Sequence, residues 1–232
     1  MKKKLPFVFS NFAMTADGKI AFTSGKFAAF GSKRDLEHLY ELRATADAVM
    51  CGAKTIEATG TILGNGGDKF SNLRLKDGLT EFPVRVIVSG SGSINPAAKI
   101  FKKRFSPIVI LTTERISKAN LKKLRAVADE VKICGKEEIA FPDTLRWLHN
   151  KWKVKRLLCE GGGELHFALI RAGLLDELHL TVCPKIFGGR NAPTIADGEG
   201  FFHLADAGQF KLKSTNQIGD ELFALFARRK TA

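Results

Sequence analysis

Three consecutive glycines, Gly161, Gly162 and Gly163, stand between an acidic residue and a segment with helical periodicity. The stretch reads CEGGGELHFALIRAGLLDEL over residues 159–178. Backbone N–H groups at a helix N-terminus attract anions, and glycine lets a phosphate approach them closely. The spacing therefore predicts a phosphate cradle with the carboxylate of Glu160 at its edge. A plain flexible turn is the alternative.

Three other predicted strands also end in small or hydroxyl-bearing residues. Gly52 and Thr55 follow one strand, Ser89 and Gly90 follow another, and LTTER (111–115) closes a third. Ligands of open α/β sheets bind beyond the carboxyl ends of the strands. Four such ends in one sheet predict a long, polyanionic ligand such as a dinucleotide.

Several familiar catalytic and metal-binding patterns are absent from the sequence. It contains no GxGxxG followed by an acid, no Walker A motif, no GxSxG elbow and no HxE–PCxxC pair. His38 and His166 fall within helical patterns and His179 within a strand, so we expect structural roles for them. The cysteines have no zinc spacing, and no metal site is predicted. We expect all four to be buried free thiols in a reducing cytoplasm: Cys51, Cys134, Cys159 and Cys183.

The elements that must position these residues alternate between strand and helix patterns. Strands are predicted at 7–14, 46–52, 84–90, 107–113, 130–134 and 154–160, helices at 32–46, 117–129, 141–152 and 164–178, and further strands at 176–188, 210–217 and 221–229. Ser32 is an N-cap candidate, Leu36, Leu39, Leu42 and Ala46 would form one helix face, and Gly173 can end the last helix. Residues 60–82 have no periodicity and are predicted to form a long surface loop.

This order predicts an α/β fold with three αβα layers in one domain spanning residues 1–232. The sheet would be mixed and mostly parallel, and the last three strands would be antiparallel additions at one edge. Because several of the earlier strands are apolar on both faces, we expect helices to cover both sides of the sheet.

The net charge of +13 is dispersed along the chain rather than concentrated in one motif. In the segment 117–129 the lysines lie opposite an apolar stripe, as on a solvated helix face. An anionic small molecule is therefore a better-supported ligand than nucleic acid. No apolar run approaches the roughly 18 residues of a membrane span, and the N-terminal apolar segment is interpreted as a first strand.

Three stretches resemble the reductase of riboflavin biosynthesis, which forms the C-terminal half of a bacterial bifunctional deaminase–reductase and stands alone in archaea and fungi. They are SNFAMTADGKIA (10–21), LRATADAVMCGAKT (42–55) and LLCEGGGELHFALIRAGLLDELHLTVCPKIFGGRNAPT (157–194). The resemblance extends over about residues 6–227. It implies a dihydrofolate-reductase-like fold, a homodimer, and NADPH-dependent reduction of a ribosylaminopyrimidine phosphate to its ribitylamino form. The chain would have no deaminase domain, so a separate enzyme would deaminate the pyrimidine.

The resemblance and the strand-end pattern together give the expected site. The cofactor-binding residues would be Ala13, Gly52, Thr55, Ser89, Gly90, Gly161, Gly162, Gly163, Glu164 and Leu165. Arg43 would hold the substrate by its phosphate, although an ordinary surface arginine is the alternative. Glu160 would face the substrate as the candidate catalytic residue, orienting it rather than relaying a proton. The resemblance also places the turn at Asp17 near the nicotinamide.

The chain departs from the family pattern on the substrate side. Thr59 and Gly60 replace two acids, no arginine follows until Arg74, and Ala29 aligns with a tryptophan. The pyrimidine could therefore be deaminated or not, and a dihydrofolate-reductase-like reductase of another pterin or pyrimidine stays an alternative. A basic nucleic-acid-binding protein is a more distant one.

The choice between NADPH and NADH depends on whether the protein has a binding site for the 2′-phosphate. Arg115, Ser89 and Ser91 are the candidates, since an arginine can bind a phosphate in bidentate fashion. The sequence does not decide between the two cofactors.

Overall fold

The computed structural model describes residues 4–24 and 28–229 of the chain. The strands are β1 (Phe7–Thr15), β2 (Ala48–Gly52), β3 (Val84–Val88), β4 (Ile108–Thr112), β5 (Glu130–Ile133), β6 (Arg156–Cys159), β7 (Glu177–Cys183), β8 (Phe210–Ile218) and β9 (Glu221–Arg228). The helices are α1 (Lys33–Ala44), α2 (Ala53–Thr59), α3 (Asp68–Lys76), α4 (Lys99–Lys102), α5 (Lys118–Arg125), α6 (Phe141–Trp152) and α7 (Gly163–Arg171), with a 3₁₀ turn at Leu204–Asp206.

One nine-stranded sheet has the order β5-β4-β3-β2-β6-β1-β7-β9-β8. The seven strands from β5 to β7 are parallel to their neighbours, whereas β9 pairs antiparallel with both β7 and β8. The predicted α/β class and the mixed, mostly parallel sheet with an antiparallel C-terminal edge are confirmed. The carboxyl ends of β1, β2, β3, β4 and β6 consequently meet along one edge of the sheet.

Apolar side chains cover both faces of the sheet, as the sequence predicts. On β1, Val8 and Phe12 join a buried cluster on one face, and Phe9 joins a second cluster on the other. The second cluster includes Leu42 of α1 and Leu124 of α5. The lysines of α5 face solvent, which agrees with the expected solvated helix face.

The strand β7 differs from the prediction. It pairs antiparallel with β9, as expected, but on its other side it runs parallel to β1, with Ser10 beside Leu178 and Ala13 beside Thr181. The reason is the preceding helix: α7 connects β6 to β7 across β1, and such a crossover returns the chain in the same direction. The helix itself ends earlier than 178, and Gly173 follows it with φ of +64°.

The predicted surface loop at 60–82 is also wrong in part, because it contains the helix α3. Arg74 on this helix is fully buried. Its Nη1 donates hydrogen bonds to the carbonyl oxygens of Arg43 and Ala46, each at 2.6 Å. Arg74 thus satisfies carbonyls at the C-terminal end of α1. This long-range contact holds the helix in place. The local sequence has no apolar periodicity from which the helix could be predicted.

The α1 helix begins where expected, since the Ser32 side chain accepts hydrogen bonds from the N–H groups of Arg34 and Asp35. Its predicted apolar face is only partly correct. Leu42 is buried, but Leu36 is 49% exposed and lines a cleft instead of the core.

All four cysteines are buried free thiols, as predicted. No helix within the described residues is long and apolar enough to cross a membrane.

Candidate functional site

A cleft of about 1420 Å³ lies over the carboxyl ends of the parallel strands. This volume exceeds the roughly 300–1,000 Å³ of a typical small-ligand pocket, so the cleft has room for a dinucleotide and a second ligand together. Nine of the ten expected cofactor-binding residues line it: Ala13, Gly52, Thr55, Ser89, Gly90, Gly162, Gly163, Glu164 and Leu165. The four strand-end loops singled out by the sequence therefore meet at one place.

The glycine run forms the N-terminus of α7. Gly162 is the N-cap and supplies no side-chain hydrogen bond to the first turn of α7. The N–H groups of that turn are therefore available to an anion. Gly163 has no space for a side chain, because a Cβ there would lie 2.5 Å from both Asp197 Oδ2 and the Thr194 carbonyl oxygen. The backbone is therefore held closely at this point rather than flexible.

Gly161 is the one expected cofactor residue that does not line the cleft. Its φ is +89°, and a Cβ would lie 2.8 Å from the Phe12 ring. Its carbonyl oxygen accepts a hydrogen bond of 2.7 Å from the Gly52 N–H. Gly161 thus connects the loop after β6 to the loop after β2 by a backbone hydrogen bond.

The ends of β3 and β4 form the opposite wall of the cleft. The Thr113 hydroxyl donates a hydrogen bond of 2.7 Å to the Gly90 carbonyl oxygen, which ties the two loops together. The guanidinium of Arg115 packs beside Gly90, and its side chain is 53% exposed. Ser89 and Ser91 line the same wall. An exposed arginine beside two hydroxyls is a suitable environment for a phosphate group.

Arg43 and Glu160 meet on the α1 side of the cleft. Arg43 Nε and Nη2 donate to the two carboxylate oxygens of Glu160, both at 2.6 Å, and Nη1 donates to the Gly64 carbonyl oxygen, also at 2.6 Å. The two side chains are 6% and 10% exposed, so Arg43 is not the ordinary surface arginine of the alternative interpretation. Burial disfavours the charged guanidinium, but the Glu160 carboxylate raises the pKa of Arg43 above its usual value.

Two positions at which the chain departs from the family pattern lie in the same cleft. Thr59 and Ala29 both line it, and the Thr59 hydroxyl donates a hydrogen bond of 2.8 Å to the Thr55 carbonyl oxygen.

Asp17, at the turn expected near the nicotinamide, does not line the cleft. Its carboxylate accepts hydrogen bonds from the N–H groups of Phe187 and Gly188, at 3.2 and 2.7 Å, and so fastens the turn after β1 to a distant loop.

None of the three histidines that we expected to be structural, His38, His166 and His179, lines this cleft. His166 is fully buried, with Nε2 2.9 Å from the Ser10 hydroxyl and Nδ1 2.7 Å from the Ile195 carbonyl oxygen. Since a carbonyl only accepts, Nδ1 carries the proton and Nε2 accepts from Ser10. Burial lowers the pKa of His166 to about 4.

Several polar residues that line the cleft were not predicted from the sequence, among them Asn11, Asp35 and Asp197. We assigned none of the three a role in the site. The available signal for Asn11 was a polar residue in the middle of a strand that is otherwise buried on both faces. No pattern in the sequence distinguishes Asp197.

Comparison with known proteins identifies one family and several relatives that are similar over most of the chain. Residues 6–224 match the family described as the RibD C-terminal domain. The 2,5-diamino-6-ribosylamino-4(3H)-pyrimidinone 5′-phosphate reductase of Methanothermobacter thermautotrophicus is 33% identical over 217 residues, covering 94% of this chain and 95% of that protein. The protein of the same name from Archaeoglobus fulgidus is 34% identical over 224 residues, covering 96% and 98%. A crystal structure of a pyrimidine reductase-like protein from Corynebacterium diphtheriae has the same fold, with a TM-score of 0.81 at 20% identity over 97% of this chain and 93% of that one.

Proposed function

The chain belongs to the RibD C-terminal domain family, and from this premise we propose that it is an NADPH-dependent reductase of riboflavin biosynthesis. Its substrate would be 2,5-diamino-6-ribosylamino-4(3H)-pyrimidinone 5′-phosphate, the compound in the names of the two archaeal relatives. The observation that carries the proposal is the union of the glycine cradle and the Arg43–Glu160 pair in one cleft.

The cofactor would lie across the ends of β2, β3, β4 and β6. The free N–H groups at the start of α7 would bind its diphosphate. Arg115, at the far wall, would bind the 2′-phosphate of NADPH. The residues present therefore fit a phosphorylated dinucleotide.

When bound, NADPH would supply the hydride for C1 of the ring-opened imine of the ribosylamino group, and a proton from solvent would join the amine nitrogen. The protein would contribute the relative position of the two reactants. Glu160 is held rigidly by two hydrogen bonds from Arg43, so its carboxylate would orient the substrate and not swing as a proton carrier. Arg43 keeps two N–H groups free of protein acceptors within the described chain, and these would contact the substrate.

The experiment is a spectrophotometric assay of NADPH oxidation with the synthesised pyrimidinone phosphate. The expected product is heavier than the substrate by two hydrogen atoms and carries a ribitylamino chain. Oxidation of NADPH with dihydrofolate but not with the pyrimidinone phosphate would overturn the proposal in favour of a pterin reductase. Steeply salt-dependent retention of DNA or RNA in a filter-binding assay, without reductase activity, would favour the nucleic-acid alternative.

We propose in addition that one domain carries this activity, as a homodimer in the cytoplasm. The buried free cysteines support a reducing compartment. The β8–β9 ribbon supports a partner surface, because β8 is an open sheet edge and Leu212, Ile218 and Leu222 are 50%, 42% and 41% exposed. Sedimentation of the wild type and of Leu212→Lys tests this: a dimer that becomes a monomer is expected, and a monomeric wild type would overturn it.

A further inference from the structure

Asn11 lies in the floor of the cleft on the face of the sheet that α1 covers. Phe9, two residues earlier on β1, packs on the same face against Leu42 of α1. Ser10 pairs with Cys159, the last residue of β6, so Asn11 in the middle of β1 is the neighbour of Glu160. Asn11 is 9% exposed, and its Oδ1 is buried with no hydrogen-bond partner among the residues that the structure describes. An amide oxygen left unpaired in a cleft is an acceptor prepared for a ligand.

Asp35 presents a second unpaired acceptor in the same cleft. An acid in the first turn of a helix ordinarily reaches back to the N-cap N–H. Here that position is already taken, because the Ser32 N–H and hydroxyl donate to the two carboxylate oxygens of Glu221 at 2.7 and 2.6 Å. Asp35 Oδ1 is buried and, across residues 4–24 and 28–229, has no partner.

The surroundings of Asp35 disfavour its charged form. Burial raises the pKa of the Asp35 carboxyl, the Thr181 hydroxyl lowers it, and the neighbouring Glu221 carboxylate raises it further. Of the two carboxylates, Glu221 accepts two hydrogen bonds from Ser32, whereas Asp35 Oδ1 accepts none from the described residues. A ligand that donates hydrogen bonds to Asp35 would remove this cost, since an unsatisfied buried acceptor is expensive.

The α1 helix connects this acceptor pair to the Arg43–Glu160 pair. Asp35 and Arg43 are eight positions apart, which corresponds to about 12 Å along the helix at 1.5 Å per residue. Leu36 and Leu39 line the cleft between them. One helix therefore offers hydrogen-bond acceptors at one end, an apolar surface along its length and a guanidinium at the other end.

We infer that Asp35, assisted by Asn11, is a specificity residue that accepts hydrogen bonds from the N3–H and 2-amino groups of the substrate's pyrimidinone ring. The inference rests on the proposed function and sharpens its substrate. The 2-amino ring presents two adjacent donors on this edge, whereas the deaminated ring presents one donor and the C2 carbonyl oxygen. Two hydrogen bonds donated by the ring would favour the ionised form of Asp35. An ionised carboxylate has no donor for the C2 carbonyl oxygen, so the enzyme selects the ring that has not been deaminated.

Asn11 would bind the pyrimidinone ring without discriminating between the two substrates. Its amide can rotate to present either an acceptor or a donor, so it would bond to either ring. Asp35 is the residue that discriminates between them. A site built to hydrogen-bond one group rejects the analogue that lacks it far more strongly than an apolar pocket does.

The test compares kcat/KM for two substrates, the 2-amino pyrimidinone phosphate and its deaminated 2-oxo counterpart, in the wild type and in Asp35→Asn. The wild type is expected to prefer the 2-amino substrate by at least about tenfold. Asp35→Asn keeps the shape of the side chain but supplies an N–H donor for a C2 carbonyl. We expect its preference to fall by about tenfold or to reverse, with the 2-oxo substrate gaining or holding its rate.

Two further variants separate recognition from general damage. Glu37→Gln makes the same chemical change on the same helix, at a residue that does not line the cleft and pairs with Arg34 and Lys69, and its preference should equal that of the wild type. Asn11→Leu should lower kcat/KM for both substrates, with a smaller change in their ratio. Turnover of the 2-amino substrate with an unchanged ratio in Asp35→Asn would overturn this inference alone, whereas turnover of neither substrate by the wild type would overturn the proposed function as well.

Discussion

The guanidinium of Arg43 and the carboxylate of Glu160 form a bidentate ion pair, with both N···O distances at 2.6 Å, inside the proposed substrate half of the cleft. The partners come from α1 and from the residue after β6, and they are 117 positions apart in the chain. The pair therefore fixes a helix against the sheet at the point where the chemistry would occur. In the proposed function the same two residues also contact the substrate.

The first prediction concerns the stability contributed by this pair. Glu160→Gln leaves the buried Arg43 charge without a countercharge, so we expect the free energy of unfolding to fall by about 2–3 kcal/mol. Denaturant titration of the protein measures this. Glu164→Gln is the matched control, because its ion pair with Lys54 is exposed to solvent, and it should change stability little. Equal losses in the two variants would show that the Arg43–Glu160 pair stabilises no more than a surface pair does.

The second prediction concerns the glycine cradle. In Gly163→Ala the new methyl group would collide with Asp197 and with the Thr194 carbonyl oxygen, and overpacking of this kind costs about 1–3 kcal/mol. Because the N–H groups at the start of α7 must shift, we expect NADPH to bind at least about fivefold more weakly. Quenching of protein fluorescence by NADPH measures the affinity. Gly64→Ala has ordinary contacts of 3.8 Å or more and should bind NADPH like the wild type; unchanged affinity in Gly163→Ala would contradict the cradle.

Sequence patterns predicted this cradle because its chemistry is local. A strand, three glycines and an amphipathic segment are consecutive in the chain, and nothing distant is needed to read them. The strand ends at Gly52 and Gly90 could be placed beside it for a related reason. In a parallel sheet all strands end at the same edge, so a correct fold class brings these loops together before any contact is known.

The substrate half depended on contacts that no local pattern records. Asp35 resembles a helix-capping acid until the structure shows that Glu221, 186 positions later, has taken the Ser32 N–H. Arg43 resembles a surface arginine until Glu160 is found beside it. The helix α3 was missed for the same reason, since Arg74 anchors it to carbonyls of another helix. Long-range hydrogen bonds decided these three cases.

The third prediction concerns the choice between cofactors. If Arg115 binds the 2′-phosphate, Arg115→Gln removes a charge-assisted hydrogen bond of about 1.5–3 kcal/mol. The ratio of kcat/KM for NADPH to that for NADH should then fall by about 10- to 100-fold. Arg104→Gln is the control, since Arg104 precedes β4 whereas Arg115 follows it, and Arg104 pairs with Asp129. A ratio that falls equally in both variants would point to overall charge rather than to a specific grip.

The fourth prediction concerns stability in mild acid. His166 has a pKa of about 4 in the folded protein because it is buried, whereas the unfolded chain would titrate near 6.5. The unfolded state therefore binds the proton first, and the stability that is present above pH 6.5 is lost as the pH falls toward 4. Between pH 7 and 4.5 this histidine should cost about 2 kcal/mol of the free energy of unfolding.

His166→Asn tests that assignment, because an asparagine amide can still donate to the Ile195 carbonyl oxygen but does not titrate. Denaturant unfolding at pH 7 and at pH 4.5 should show a loss smaller by about 2 kcal/mol in this variant than in the wild type. The exposed His203 provides the control, since His203→Asn should leave the wild-type loss unchanged. If His166→Asn and the wild type lose stability in parallel, another buried group, of which His179 with its pKa lowered to about 4 by burial is the first candidate, governs the acid sensitivity of the fold.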